Sequence, residues 1–250
     1  MISLKSKDEI EKIRKAGSLV KKVLENMEEA IRPGISTLEL ELLAREVIEN
    51  AGGSAPCIGY GDPPFPAATC ISTDEVVVHG IPSANQVLAE GQIVTFDVVC
   101  ELDGWMADAA RTFPVGRISE EKQALSDTAK SAFYAGLEQA VPGNHIADIS
   151  AAVQKEAEGK GYSVIRELTG HGIGRSMHES PDVPNYVTRR RGPRLQEGMV
   201  ICIEPMIACG ERYIVLGNDG WTVSMRDKRP AAHYENTIVI TADGPEILTV

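Results

Sequence analysis

The chain has 250 residues, of which 43% are hydrophobic and 24% charged, with a formal net charge of −11. That balance is ordinary for a globular protein, and its acidity argues against a nucleic-acid footprint spread over the surface. No apolar run reaches membrane-spanning length, the opening MISLKSKDEIEKI lacks the apolar core of a secretory signal, and the five cysteines form no C-x-x-C pair, so a cytoplasmic protein with free thiols is expected.

Ser6 with Glu9 makes a capping box, and Ile10, Ile13, Gly17, Val20, Leu24 and Met27 follow at helical spacing until Pro33-Gly34 stops the run. Ser36 with Glu39 opens a second helix, with Leu40, Leu43, Ala44, Val47 and Ile48 on one face, that ends at Gly52-Gly53. Asp103-Gly104 between two apolar-rich runs predicts a hairpin. With a two-residue loop, Asp97 opposes Ala110 and lies diagonal to Asp108 on the same face, roughly 7–8 Å away. A three-residue loop would turn one acid away unless a bulge restored it. Ser119 starts a third helix that runs to Val141, and Asp148 lies near the start of a fourth that ends by Gly161. Cys100 and Cys202 sit inside apolar runs and read as small buried hydrophobes, while Cys57 and Cys70 flank a loop. The basic run TRRRGPRL, residues 188–195, reads as a solvated loop, with docking to an anionic partner such as a ribosome as the sharper reading.

The chain says one thing twice. Residues 88–97 read LAEGQIVTFD and residues 195–204 read LQEGMVICIE, which makes Asp97 and Glu204 equivalent points of an internal duplication. Upstream, His79-Gly-Ile-Pro82 answers His178-Glu-Ser-Pro181; downstream, Asp108 answers Glu235. Each half offers one histidine and two acids in the same order, so an approximate two-fold axis would gather all six. One domain over residues 1–250, with halves of about 1–115 and 116–250 sharing one sheet, follows from this. The fold class is α+β, helices on one side of a mainly antiparallel sheet.

Four converging carboxylates cannot stay ionised and unpaired in a closed site, and metal cations are the natural counter-charge. The competing reading of Glu204 and Glu235 is a salt bridge to Arg or Lys, but neither strand carries an evident basic neighbour. His171, in GHGIG, has no counterpart in the first half and would make two metal positions unequal. The same segment as a phosphate cradle is the alternative, although it matches neither G-x-G-x-x-G nor a Walker A pattern.

His79, Asp97, Asp108, GHGIG with His171, His178, Glu204-Pro205 and Glu235 are similar to the motifs of the type I methionine aminopeptidases, over essentially the whole chain. The resemblance implies the pita-bread fold and two divalent ions: Asp97 on one, His171 and Glu204 on the other, Asp108 and Glu235 bridging. The oxygen-rich donor set suits cobalt, manganese or iron. By resemblance Glu204 is the general base, His178 stabilises the tetrahedral intermediate and His79 contacts the scissile amide. Cys57, Tyr60, Cys70 and Trp221 line the pocket for the leading side chain, with Phe65 and Met177 at its wall.

The implied activity is removal of the N-terminal methionine from nascent chains with a small second residue, by a monomer that engages neither DNA nor membrane. An Xaa-Pro aminopeptidase or dipeptidase of the same fold, and a ribosome-associated protein that has lost its metals, are the alternatives. Against the family pattern, GYGDPPFPAATC lengthens the rim, Asp74 replaces a common Asn, Met106-Ala107 replaces a His/Gly pair, and Met177 stands where Phe is usual.

Overall fold

The computed structural model describes residues 2–250. The first half opens with two capped helices, α1 (Lys7–Ala30) and α2 (Thr37–Asn50), followed by β1 (Thr69–Thr73), β2 (Val76–Val78), β3 (Ile93–Leu102) and β4 (Trp105–Pro114). The second half repeats the plan with α3 (Glu120–Glu138) and α4 (Ile146–Gly159). Then come β5 (Ser163–Val164), β6 (Thr169–Gly172), β7 (Glu179–Pro184), β8 (Val200–Ile203) and β9 (Met206–Ala208). The remaining strands are β10 (Ile214–Leu216), β11 (Val223–Met225), β12 (Ala231–His233), β13 (Asn236–Thr241) and β14 (Gly244–Ile247). Both predicted capping boxes form: Ser6 and Ser36 each accept from the backbone three residues on, and Glu9 and Glu39 bond back.

Two main cores form, each built mostly but not wholly from one half. Ile13, Val20 and Met27 of α1 and Leu40 and Ile48 of α2 pack on Ile71, Phe96 and Val98 of the first sheet. Leu125, Ala129 and Phe133 of α3 and Ile149 and Val153 of α4 pack on Ile201, Ile203, Ile238 and Ile240 of the second. This is the α+β, pita-bread arrangement, with antiparallel pairing between the strands. The amphipathic stripes of four helices close over one face of each sheet, which leaves the opposite faces to converge on a shared cleft.

The expectation of one sheet shared by the halves needs correction. β1-β3-β4 and β14-β13-β8-β6-β7 are separate sheets. A side chain of β13 ties them together: the Asp108 N–H donates to Thr237 Oγ1 at 2.9 Å, and the same hydroxyl donates to the Asp108 carbonyl at 2.9 Å. Threonine thus satisfies both backbone groups of Asp108 where a ladder partner would otherwise sit. The halves do mix elsewhere, since β2 completes a sheet with β10 and β11 from the excursion between Glu204 and Glu235.

Candidate metal centre and its cavities

The hairpin predicted at Asp103-Gly104 has a two-residue loop. Leu102 pairs with Trp105, and Asp103 and Gly104 take φ of 53° and 77°, the left-handed values that such a turn demands. The register places Asp97 opposite Ala110 and Asp108 opposite Val99, so both acids point from one face. Glu204 follows the last residue of β8, and Glu235 precedes β13, which pairs with β8 from Asn236 opposite Ile203. The Glu235 N–H donates to the Ala110 carbonyl at 3.0 Å, joining the Glu235 backbone to the hairpin of Asp97 and Asp108.

His171 is fixed from behind. Its Nδ1 lies 2.9 Å from the Gly172 carbonyl, which can only accept, so Nδ1 carries the proton and Nε2 presents a lone pair. That Nε2 lies 3.8 Å from Asp108 Oδ2 and 3.7 Å from Glu204 Oε1. The glycines of GHGIG pass close to neighbouring strands: a Cβ on Gly170 would sit 2.4 Å from the Cys202 carbonyl, and one on Gly172 2.5 Å from that of Ser180.

Electrostatics mark the cluster as incomplete. Burial raises Asp97 from 3.8 to about 6. Burial first, then the neighbouring carboxylates, pushes Asp108, Glu204 and Glu235 well above the usual carboxylate range. Burial and the nearby His178 bring His171 down to about 4, which keeps it neutral. The guanidinium of Arg111 donates to the main-chain oxygen of Glu235 and to Asn236 Oδ1 rather than to a carboxylate. Asp108 Oδ1 and Glu235 Oε1 are buried with no hydrogen-bond partner. A neutral imidazole facing partnerless acids is a donor set that fits a divalent cation, and the salt-bridge reading of the two glutamates fails.

Two cavities meet at this cluster. One, of about 150 Å³, is lined by Cys57, Tyr60, Phe65, Cys70, His79, Met177, His178 and Trp221, together with Asp97, Val99 and Asp108. Every pocket residue expected from the sequence is therefore brought together, and Cys57 and Cys70 are buried free thiols in its wall. The other, of about 280 Å³, shares His79, Asp97, Asp108 and His178 with the first and extends past Leu168, Thr169, Met206 and His233. The rim loop is clamped: Trp221 Nε1 donates to the Pro63 carbonyl at 2.7 Å, and its ring meets those of Phe65 and His79 edge-on. Gly61 lies under that indole at φ 78°, where a Cβ would stand 2.5 Å from two ring carbons. Cys57 Sγ touches Met177 Sδ at 3.8 Å.

Two residues escaped the sequence reading. His233 is buried with both ring nitrogens unpartnered, its Nε2 3.6 Å from Glu235 Oε2. Cys202, read as apolar filler, is buried as expected, but its sulfur lies among the ligands: one donor atom each from Asp108, His171, Cys202 and Glu235 lie within 4.8 Å of one another. Strand alternation carries the missed signal, because each residue stands two positions before a glutamate of the cluster and so shares its side of the chain.

The model of metallopeptidase family M24 matches residues 11–242. A methionine aminopeptidase of Clostridium acetobutylicum is 46% identical over 250 residues, which is 100% of this chain and 99% of that one. The crystal structure of methionine aminopeptidase from Rickettsia prowazekii superposes with a TM-score of 0.97 at 37% identity, covering 100% of both chains. That of methionine aminopeptidase from Thermotoga maritima gives 0.96 at 38%, covering 100% of this chain and 99% of that one.

Proposed function

The chain belongs to metallopeptidase family M24, and we propose that it removes the N-terminal methionine of nascent polypeptides through the centre formed by Asp97, Asp108, His171, Glu204 and Glu235. The observation that carries the reading is the meeting of the two cavities at that cluster. A side-chain pocket of methionine size opens on one side and a cleft for the following residues on the other, so the first peptide bond lies over the carboxylates.

Asp97 would hold one ion, His171 and Glu204 the other, with Asp108 and Glu235 shared between them. Two divalent ions from the set cobalt, manganese and iron would polarise the scissile carbonyl and acidify the attacking water. Glu204, at the end of β8, takes the proton from the water as its oxygen bonds to the carbonyl carbon, then passes it to the leaving amine as the C–N bond breaks. His178 donates from its ring to the oxygen that gains charge. His79, in left-handed backbone at φ 58° and set against Trp221, contacts the scissile amide from the opposite wall. Thiols, a thioether and aromatic rings in the pocket suit the thioether of methionine, at roughly 0.3–1.5 kcal/mol per sulfur–aromatic contact.

We place this activity in the cytoplasm, in a monomer whose exposed Arg189, Arg190 and Arg191 contact the ribosome transiently as substrates emerge. Among the described residues no helix is long and apolar enough to cross a membrane. The test is hydrolysis of Met-Gly-Met-Met against an Xaa-Pro peptide by metal-reconstituted and chelated protein. Release of methionine that depends on added metal is expected, and cleavage of the Xaa-Pro peptide alone would overturn the reading.

A further inference from the structure

The strands that deliver the acids also deliver a thiol. Along β8, Cys202 points to the same side as Glu204, and it pairs directly with Thr237, which stands two residues after Glu235. The sulfur is fully buried, and its hydrogen-bonding neighbour is the Thr237 hydroxyl at 3.6 Å, a long contact. Around it stand the carboxylates of Asp108 and Glu235, each with one buried oxygen that has no hydrogen-bond partner, and His171. Donors gathered on one tetrahedral ion at about 2.0–2.3 Å lie within about 4 Å of each other. The 4.8 Å limit that encloses one donor atom of each of these four residues is reached from there by small side-chain adjustments.

We propose that Asp108, His171, Cys202 and Glu235 form a second coordination mode of the centre, one that captures a thiophilic divalent ion such as cadmium or zinc with Cys202 as a thiolate ligand. The proposal rests on the reading of this cluster as a metal centre. The chemistry separates two kinds of ion: hard ions favour the carboxylates, whereas a soft ion gains a sulfur ligand that the five-residue set lacks. Capture forms one sulfur–metal bond and releases the thiol proton to the buffer, with no change of oxidation state. A set of one sulfur, one nitrogen and two oxygens closes a tetrahedron, leaves no position open for substrate or water, and draws the bridging acids away from the working arrangement. Thiophilic ions are therefore inhibitors of this chain through Cys202, while hard ions are its activators.

The experiment titrates the metal-free full-length protein with cadmium and, separately, with manganese. Ultraviolet absorption follows thiolate-to-cadmium charge transfer, and calorimetry follows both affinities. One equivalent of cadmium should give the absorption band in the parent, and X-ray absorption of that same sample should show one sulfur neighbour. Cys202→Thr and Cys202→Ser should lose the band and bind cadmium at least about tenfold more weakly, with manganese affinity nearly unchanged. No sulfur neighbour in the parent overturns the proposal whatever the variants do. So does a band that persists in Cys202→Thr, which would place cadmium on one of the other four cysteines. Failure of the parent to bind manganese would instead sink the metal-centre reading itself.

Discussion

Tyr60 Oη and His178 Nδ1 lie 2.8 Å apart, so a residue lining the smaller cavity also grips the histidine proposed to face the scissile bond. A phenol that donates to Nδ1 leaves the imidazole proton on Nε2, the tautomer required for donation to substrate. Tyr60→Phe should lower kcat roughly 10-fold while bound metal stays constant. Steady-state kinetics with metal analysis checks this, and the nitrogen spectrum of His178 should show mixed tautomers in the variant.

Glu204→Gln retains the shape of the side chain but can neither take up a proton nor bind a cation as strongly. A fall in kcat of roughly 10²–10⁴ is expected with the fold intact by circular dichroism. Asp108→Asn should lose metal affinity together with turnover, and calorimetry showing unchanged stoichiometry would remove Asp108 from the centre.

The metal-free protein should have an unusual pH response at Asp97. Its carboxyl titrates at about 6 in the fold against an ordinary 3.8, so between those values the folded state is the tighter proton binder. Stability from this group is present in full below 3.8 and is lost as pH rises through about 6. Without metal, Asp97→Asn should therefore melt higher than the parent at pH 7 and like it at pH 4. With saturating manganese the order at pH 7 should reverse, because only the parent gains full binding free energy. Thermal melts of the two proteins under these three conditions, six samples in all, decide the matter.

Gly61→Ala places a methyl against the Trp221 ring and imposes a backbone strained for alanine. The indole must leave Pro63, which should raise KM for Met-Ala peptides roughly 5- to 30-fold, about 1–2 kcal/mol in binding. Met177→Phe exchanges a flexible wall for a rigid one and should sharpen the preference for Met-Ala over Leu-Ala. The ratio of kcat/KM for the two peptides measures it, and an unchanged ratio would detach Met177 from specificity.

Local chemistry made much of this molecule legible. Asp103-Gly104 defined a hairpin whose register needs no tertiary information, and that register alone puts Asp97 and Asp108 on one face. The pocket residues were legible through resemblance, and the structure gathers all of them in one cavity. The join between the halves was not legible, because it depends on the Thr237 hydroxyl replacing a backbone partner, and a threonine in an apolar strand looks like any β-branched residue. His233 and Cys202 were passed over for a related reason: each fits its strand as a buried residue, and only the three-dimensional convergence shows that it is buried against carboxylates.

The seam at Asp108 and Thr237 divides ownership of the centre. One half contributes Asp97 and Asp108, the other Glu204 and Glu235, and neither alone presents more than two acids. The centre therefore exists only while the two halves stay docked: opening the seam would separate the acids into pairs, and the two cavities, each lined from both halves, would open with it.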